Sequence, residues 1–195
     1  MVITLKKPMG LDKGKIIGIV QLGFSLLAFI LSIVALAGGV ADNVGGLKSA
    51  SWMSTESGGI NGYTGWSHAC LEAQGQSQCS ENDWDQKDAT TAMGALSFLF
   101  ALANLVLVAV KLFKPNKMIS IIGCGVCFLG MIFTLACFGI FAGDEGVSNS
   151  LDAGASYGPG FGSSVTCFVF LLIALVLGVI SLLPGMATTE VTGGQ

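Results

Sequence analysis

The residues best suited to chemistry gather in one polar stretch, where His68 stands two residues before Cys70. His68 is the only histidine of the chain. A cysteine beside a histidine could form a nucleophilic site, because the imidazole can accept the thiol proton. Proximity in sequence alone does not build such a site, and a disulfide at Cys70 would remove the nucleophile. We therefore expect a structural or surface role for His68, with pH sensing as the alternative.

A disulfide is the second chemistry open to this stretch, because Cys79 follows Cys70 after eight residues. Closing a loop of about ten residues would stabilise the fold by roughly 2.5–3 kcal/mol through the lost entropy of the unfolded chain. The bond would hold a β-hairpin with Gly75 near its tip. It requires an oxidising compartment, and two unpaired thiols are the alternative.

A further cysteine pattern, Cys124-Gly-Val-Cys127, has the spacing of a redox or metal-binding CxxC motif. Both residues fall inside an uncharged apolar run, and no second Cys or His pair stands nearby. Free cysteine behaves as a small hydrophobic residue. We therefore expect packing roles for Cys124, Cys127, Cys137 and Cys167, and we predict neither a metal nor a cofactor.

Composition indicates the environment that surrounds these residues. Hydrophobic residues make up 52% of the chain and charged residues only 11%, with a mean hydropathy of +0.76. Soluble domains carry about 25% charged residues, so a soluble fold could not cover its surface with so few. All nine basic residues are lysine, which disfavours nucleic-acid binding, where arginine is preferred. The composition therefore predicts a membrane protein.

Four uncharged apolar runs are each long enough for a membrane span, which needs about 20 helical residues. They predict an all-α membrane protein in which residues 1–195 form one domain. The spans are 16–38, 89–110, 118–142 and 164–185, joined by loops at 39–88 and 143–163 and a link at 111–117, with a tail at 186–195. The first run is too long for the apolar core of a cleaved signal peptide, so we expect a retained anchor.

Lysine placement predicts the orientation of the spans. The leader and the link together hold seven lysines and one acid, whereas the two loops hold two lysines and ten acids. By the positive-inside rule, both termini and the link face the cytoplasm, and both loops are extracellular. We expect the plasma membrane, with an organelle membrane as the alternative.

The predicted spans contain no charged residue and no histidine, which disfavours a transport pathway through the bundle. No group of residues points to catalysis, so we predict neither an enzyme nor a small-molecule substrate. Gly139-Ile-Phe-Ala-Gly143 is a small-xxx-small pattern and predicts helix packing at Gly139 and Gly143. In the loop 39–88, short stretches punctuated by turn residues predict a small antiparallel sheet.

The same loop carries a motif similar to that of the claudin family. Trp52, then Gly65-Trp66, then Cys70 and Cys79 follow in the family's order. The chain thus resembles the claudins and their wider tetraspan relatives, the peripheral myelin and epithelial membrane proteins and the calcium-channel gamma subunits.

Two further stretches resemble this family. Residues 21–29 resemble its first span, and residues 154–161 resemble the beginning of its fourth. The resemblance implies a left-handed bundle of four transmembrane helices with a small extracellular antiparallel β-sheet, in which the disulfide joins adjacent strands.

The resemblance also implies a function through protein–protein contacts of the extracellular loops, in cell adhesion or in a paracellular barrier or pore. The expected partners are the lipid bilayer and further copies of the chain, arranged side by side or face to face. The alternative is a non-catalytic accessory subunit that packs against a channel or a larger membrane complex.

Overall fold

The computed structural model describes residues 13–82 and 85–183. Its helices are α1 (Lys13–Val40), α2 (Val44–Ala50), α3 (Lys87–Phe113), α4 (Lys117–Ala142), α5 (Glu145–Asp152) and α6 (Pro159–Ile180). Its strands are β1 (Met53–Ser57), β2 (Ile60–Thr64), β3 (His68–Ala73), β4 (Gln76–Glu81) and β5 (Ser156–Tyr157). The predicted tail at 186–195 and residues 1–12 of the basic leader lie outside the described residues.

The four long helices, α1, α3, α4 and α6, form a bundle. α1 packs against α3 and α6, and α4 packs against the same two helices. Their outward faces expose large apolar side chains such as Leu26, Leu102 and Val176, whereas Ala28 and Ala101 are buried at the centre. Small residues let membrane helices approach closely. All four helices are long and apolar enough to cross a membrane, so the predicted four-span membrane bundle is confirmed.

Polar side chains inside the bundle bond between helices. The Nδ2 group of Asn104 on α3 donates to Ser25 Oγ on α1 at 3.0 Å. The Nε2 group of Gln21 donates to the carbonyl of Ala174 on α6 at 3.1 Å. A buried polar group without a partner is costly in an apolar medium, and these bonds remove much of that cost.

The helices do not end where the apolar runs end. α3 continues to Phe113, so the link to α4 is only residues 114–116 rather than 111–117. Lys111 therefore lies within α3, and its Nζ donates to Gln21 Oε1 at 3.3 Å and to Ser181 Oγ at 2.6 Å. A lysine can follow an apolar surface with its stem while its ammonium group reaches polar partners at a helix end.

The last helix is displaced relative to the predicted span 164–185, since α6 covers Pro159–Ile180. Proline stands at the first helical position, where its fixed φ and missing N–H are tolerated. The hydropathy pattern does not indicate this helix start, because Pro159, Gly160 and Gly162 contribute little hydropathy to an apolar run.

The strands form one antiparallel sheet in the order β4-β3-β2-β1-β5. Two hairpins have turns with positive φ at both central residues, at Gly58-Gly59 (57° and 82°) and at Gln74-Gly75 (49° and 79°). Such turns match the twist of paired strands, and glycine adopts their conformation without strain. The predicted small sheet, and the predicted hairpin with Gly75 at its tip, are confirmed.

Three short elements were not predicted, namely α2, α5 and β5. The side chain of Asn43 accepts from the Gly46 N–H at 2.8 Å and begins α2. Asp144 caps α5 in the same way. β5 pairs with β1, with Tyr157 opposite Met53, so both predicted loops contribute to one sheet. We call this side of the bundle the sheet end, and the side that carries the link 114–116 the lysine end.

Candidate functional site

Trp52 lies between α2 and β1, where the sheet joins the bundle. Its side chain is fully buried. The indole Nε1–H donates to the carbonyl of Ala35 on α1 at 2.8 Å. Its backbone N–H donates to Thr64 on β2, and its carbonyl accepts from Gly158 just before α6. One residue thus joins a helix, a strand and the second loop.

Trp66 lies beside Trp52 and is also fully buried. The two rings meet edge to face, with centroids 4.6 Å apart. Phe141 at the end of α4 also packs edge to face against Trp52, with centroids 5.1 Å apart. Aromatic rings bury large apolar areas and favour such edge contacts. Met53, Cys137 and Val147 are among the further buried residues of this cluster.

Glycines at the end of α1 make room for the tryptophans. A Cβ atom at Gly39 would lie 2.1 Å from Trp66 Cε2, and one at Gly65 would lie 2.4 Å from the carbonyl oxygen of Gly38. A side chain at either position would therefore collide with its neighbour. The sequence motif includes Gly65 and Trp66 but not Gly38 and Gly39, whose only local signal is a glycine pair where the first apolar run ends.

The second loop and the start of α6 also pack against Trp52. Gly160 N–H donates to the Ser51 carbonyl at 2.7 Å. A Cβ atom at Gly160 would lie 2.8 Å from Trp52 Cδ1. Phe161 packs edge to face on Trp52 at 5.8 Å and stacks on Tyr157 of β5 at 4.0 Å. The end of the stretch 154–161 therefore lies against Trp52.

Cys70 and Cys79 lie directly opposite each other on β3 and β4 and form a disulfide. The predicted bond between adjacent strands is confirmed. Cys70 is buried, whereas Cys79 is exposed on the edge strand. The bond therefore ties the outermost strand to the part of the sheet that packs on the protein.

His68 begins β3 opposite Glu81. Its Nδ1 atom is buried and has no hydrogen-bond partner among the described residues. Cys70 is oxidised, so it offers no thiolate to this imidazole. In the described part of the chain, no three His, Cys, Asp or Glu side chains are grouped to hold a metal ion.

Two ion pairs tie the sheet to neighbouring helices. Lys48 on α2 meets Glu72 on β3 at 3.2 Å, and its hydrogen bond to this carboxylate raises the pKa of Lys48. Lys87 at the start of α3 bonds to Glu81 on β4. The hydrogen bond and the positive charge of Lys87 lower the pKa of Glu81.

The outer part of the sheet is exposed. All six residues of the edge strand β4 are exposed. Leu71 and Ile60 expose 58% and 48% of their surface. Successive residues of a strand point to opposite faces, so the register places Leu71 and Ile60 on the face opposite to Cys70. We call this surface, Leu71 and Ile60 with the edge strand β4, the outer sheet face.

The remaining cysteines lie within the bundle. The thiols of Cys127, Cys137 and Cys167 reach the backbone carbonyls of Leu171, Thr90 and Ala28. Each carbonyl belongs to a neighbouring helix, so these thiols link helices. The interpretation of these three residues as packing groups is confirmed, while Cys124 is only partly buried.

Gly139 and Gly143, the small-xxx-small pair, do not lie at a contact between the described helices of the bundle. Gly139 is exposed, and a Cβ atom there would meet nothing within 4 Å. Gly143 closes α4 and approaches only the backbone of its own helix. Glycines that do face neighbouring helices include Gly94, Gly130 and Gly178. The predicted packing role of Gly139 and Gly143 therefore has no counterpart inside the bundle.

No protein-family model matches this chain, and no curated protein matches it at a significant level. Its function is therefore inferred from the sheet, the residues that anchor it and the membrane bundle.

Proposed function

We propose that this chain is a claudin-like four-span membrane protein that acts through protein–protein contacts of its disulfide-linked loops, in cell adhesion or in a paracellular barrier or pore. The observation that carries the proposal is the exposed five-stranded sheet fixed to the end of the bundle by Trp52 and Trp66. No catalytic step is assigned to the protein, and its partners are the lipid bilayer and further copies of the chain, side by side in one membrane or face to face between two.

A contact surface benefits from rigidity, because ordering a flexible loop on binding costs free energy. Here the outermost strand is linked covalently through Cys79 to β3. The opposite edge is closed by β5, which comes from the second loop. Both edges of the sheet are thus tied to parts of the chain that enter the bundle, which supports a preorganised contact surface.

The outer sheet face has the chemistry of a moderate-affinity interface. Interfaces typically combine a small apolar centre with a polar rim. Leu71 and Ile60 supply exposed apolar area, and Gln76, Gln78 and Ser80 of the edge strand β4 border it on one side. An edge strand also offers unpaired backbone groups for strand addition.

The proposed orientation places the sheet end outside the cell and the lysine end in the cytoplasm, at the plasma membrane. Two features support it. The disulfide would persist in an oxidising compartment, and Lys111, Lys114 and Lys117 gather at the opposite end, as the positive-inside rule expects of a cytoplasmic face.

An accessory subunit is the second candidate, and one observation favours it. Gly125 and Gly139 lie exposed on α4 with open space where a side chain would stand. Small residues on an outer helix face allow close approach of a partner helix. In this alternative, α4 would pack sideways against a larger membrane complex.

Expression in non-adherent cells tests the two candidates. Adhesion predicts enrichment at cell–cell contacts, visible by fluorescence and as strands in freeze-fracture microscopy. The double variant Leu71→Asn with Ile60→Asn should lose this enrichment while reaching the surface. Lys48→Gln, on the side of the sheet that faces α2, is the control and should retain it.

The opposite result would favour the second candidate. Even distribution over the surface, together with consistent co-purification of another membrane protein that Gly139→Leu abolishes, would exclude adhesion as the main function. In that case the Leu71 and Ile60 substitutions should leave the co-purification unchanged.

A further inference from the structure

A small cavity lies inside the bundle below the sheet. Each of the four long helices contributes one hydroxyl residue to its wall, namely Ser32, Ser97, Thr134 and Ser164, and Trp66 lines it as well. All four hydroxyl residues are at most 4% exposed. The cavity has a volume of about 10 Å³. The other lining residues are apolar or weakly polar, namely Ala35, Leu36, Gly94, Cys137 and Cys167.

The Nε1–H group of Trp66 is buried and has no hydrogen-bond partner among the described residues. The neighbouring Trp52 differs, because its Nε1–H donates to Ala35 at 2.8 Å. Buried indole N–H groups usually find an acceptor. Trp66 lines the same cavity as the hydroxyls, and its indole N–H is an unused donor.

The hydroxyl protons of Ser32, Ser97 and Thr134 are already donated in hydrogen bonds within the protein. Ser32 Oγ donates to the Phe29 carbonyl at 2.7 Å. Thr134 Oγ1 donates to the Gly130 carbonyl at 2.7 Å. The contact of 2.6 Å between Ser97 Oγ and Thr134 Oγ1 then requires Ser97 to be the donor. The oxygens of Ser32 and Ser97 keep lone pairs that can accept hydrogen bonds.

We propose that this cavity binds a single water molecule, which accepts from Trp66 Nε1–H and donates to hydroxyl oxygens of the helices. The volume is close to the minimum that one water requires, and a buried water needs two to four polar partners. One donor and at least two acceptors are available here. No protonation change is needed, because water supplies both the missing acceptor and two donors.

The bound water would connect the sheet to the centre of the bundle. Trp66 belongs to the segment between β2 and β3, whereas the hydroxyls belong to the four helices. A bridging water can be nearly as favourable as a direct hydrogen bond. This role is independent of the proposed adhesion function, since an accessory subunit would have the same internal site.

The test is nuclear magnetic resonance of the full chain in nanodiscs with deuterated lipids and ¹⁵N-labelled tryptophan. Transfer of magnetisation from water to each indole N–H is measured by paired NOE and ROE experiments, whose signs separate a bound water from proton exchange. We expect a bound-water cross-peak at Trp66 and none at Trp52, which serves as the control within the same molecule. Loss of the signal in Trp66→Phe assigns it to Trp66. If Trp66→Phe does not fold, the variants Trp52→Phe and Trp84→Phe assign the signal by elimination.

Substitutions in the wall complete the test. Ser97→Ala removes an acceptor and should cause loss of the Trp66 cross-peak, with Ser164→Ala as a second variant if the first does not fold. Thr166→Ala removes an exposed hydroxyl from the same helix as Ser164 and should leave the cross-peak unchanged. Absence of the cross-peak in the unmodified chain would overturn the proposal. In that case, a shift of the Trp66 indole resonance in Ser97→Ala would indicate a direct bond to the hydroxyl, and an unchanged resonance would indicate a dry cavity.

Discussion

Trp52 and Trp66 meet edge to face, with ring centroids 4.6 Å apart, at the point where the sheet joins the four-helix bundle. Both rings are fully buried. Trp52 precedes β1 and Trp66 follows β2, so their contact fixes where the hairpin of β1 and β2 leaves the membrane domain. The position of the outer sheet face therefore depends on this pair.

Replacing Trp52 should weaken the attachment of the sheet. Trp52→Phe keeps an aromatic ring but removes the hydrogen bond to Ala35, and we expect a loss of about 1 kcal/mol in the free energy of unfolding. Trp52→Ala also empties the ring site and should cost about 3–5 kcal/mol. Unfolding in mixed micelles of increasing denaturing detergent measures both values. Phe128→Ala, at an exposed position of α4, is the control, and an equal loss there would contradict the role of Trp52.

Two glycines of the long helices, Gly39 on α1 and Gly139 on α4, should respond differently to alanine. A Cβ atom at Gly39 would lie 2.1 Å from Trp66, whereas one at Gly139 would meet nothing within 4 Å. Gly39→Ala should therefore displace Trp66 and sharply reduce stability. Gly139→Ala should leave the fold intact and raise helix stability by up to about 1 kcal/mol. Thermal melting by tryptophan fluorescence distinguishes them, and equal tolerance at both positions would show that Trp66 does not pack against α1.

Local chemistry explains what the sequence predicted correctly. Hydropathy over about 20 residues identifies a membrane helix because the bilayer itself selects that length. The hairpin of Cys70 and Cys79 was predictable because its turn, at Gly75, lies within the same short stretch. Each of these features is contained in one contiguous segment, so pattern and structure agree.

Features that join distant segments could not be predicted in this way. β5 pairs Tyr157 with Met53 across most of the chain, and two residues are too few to show a strand pattern. The contact of Gly39 with Trp66 is equally non-local. The start of α5 was detectable, because Asp144 is a favourable N-cap residue followed by an acid in the first turn.

The disulfide should stabilise the sheet more than the bundle. The double variant Cys70→Ser with Cys79→Ser should lower the free energy of unfolding of the sheet by roughly 2.5–3 kcal/mol, because the unfolded chain regains the entropy of a ten-residue loop. Hydrogen exchange of the β3 and β4 amides measures this loss. Cys124→Ser, which alters a free thiol in α4, should leave exchange in the sheet unchanged. If both variants exchange alike, the edge strand does not depend on the bond.

The ion pair between Glu81 and Lys87 should make the edge strand sensitive to acid. Lys87 lowers the pKa of Glu81 below its ordinary value of 4.5. A carboxyl group whose pKa is lowered by folding contributes stability above its unfolded pKa and loses that contribution as the pH falls through its folded pKa. The protection factors of the β4 amides, which are exchange rates corrected for the intrinsic pH dependence of exchange, should therefore fall below about pH 4.5.

Glu81→Gln supplies the comparison for this effect. In that variant the β4 amides should already be less protected from exchange at neutral pH. The further loss of protection below about pH 4.5 should then disappear. His68 stands opposite Glu81 on β3, so the measurement is repeated in His68→Gln to remove its charge. An acid-induced loss of protection of the same size in Glu81→Gln would assign the pH dependence to another group.

The orientation of the chain in the membrane decides whether the outer sheet face can reach a neighbouring cell. The proposed topology places Ser57 outside the cell and Asn116, between α3 and α4, in the cytoplasm. In separate variants, Ser57→Cys should react with a membrane-impermeant maleimide on intact cells, whereas Asn116→Cys should react only after permeabilisation. The unsubstituted chain is the control: Cys127, Cys137 and Cys167 are buried, and its labelling after permeabilisation measures any reaction of the partly buried Cys124. Labelling of Asn116→Cys on intact cells would reverse the topology, place the disulfide in a reducing compartment and remove the basis for adhesion.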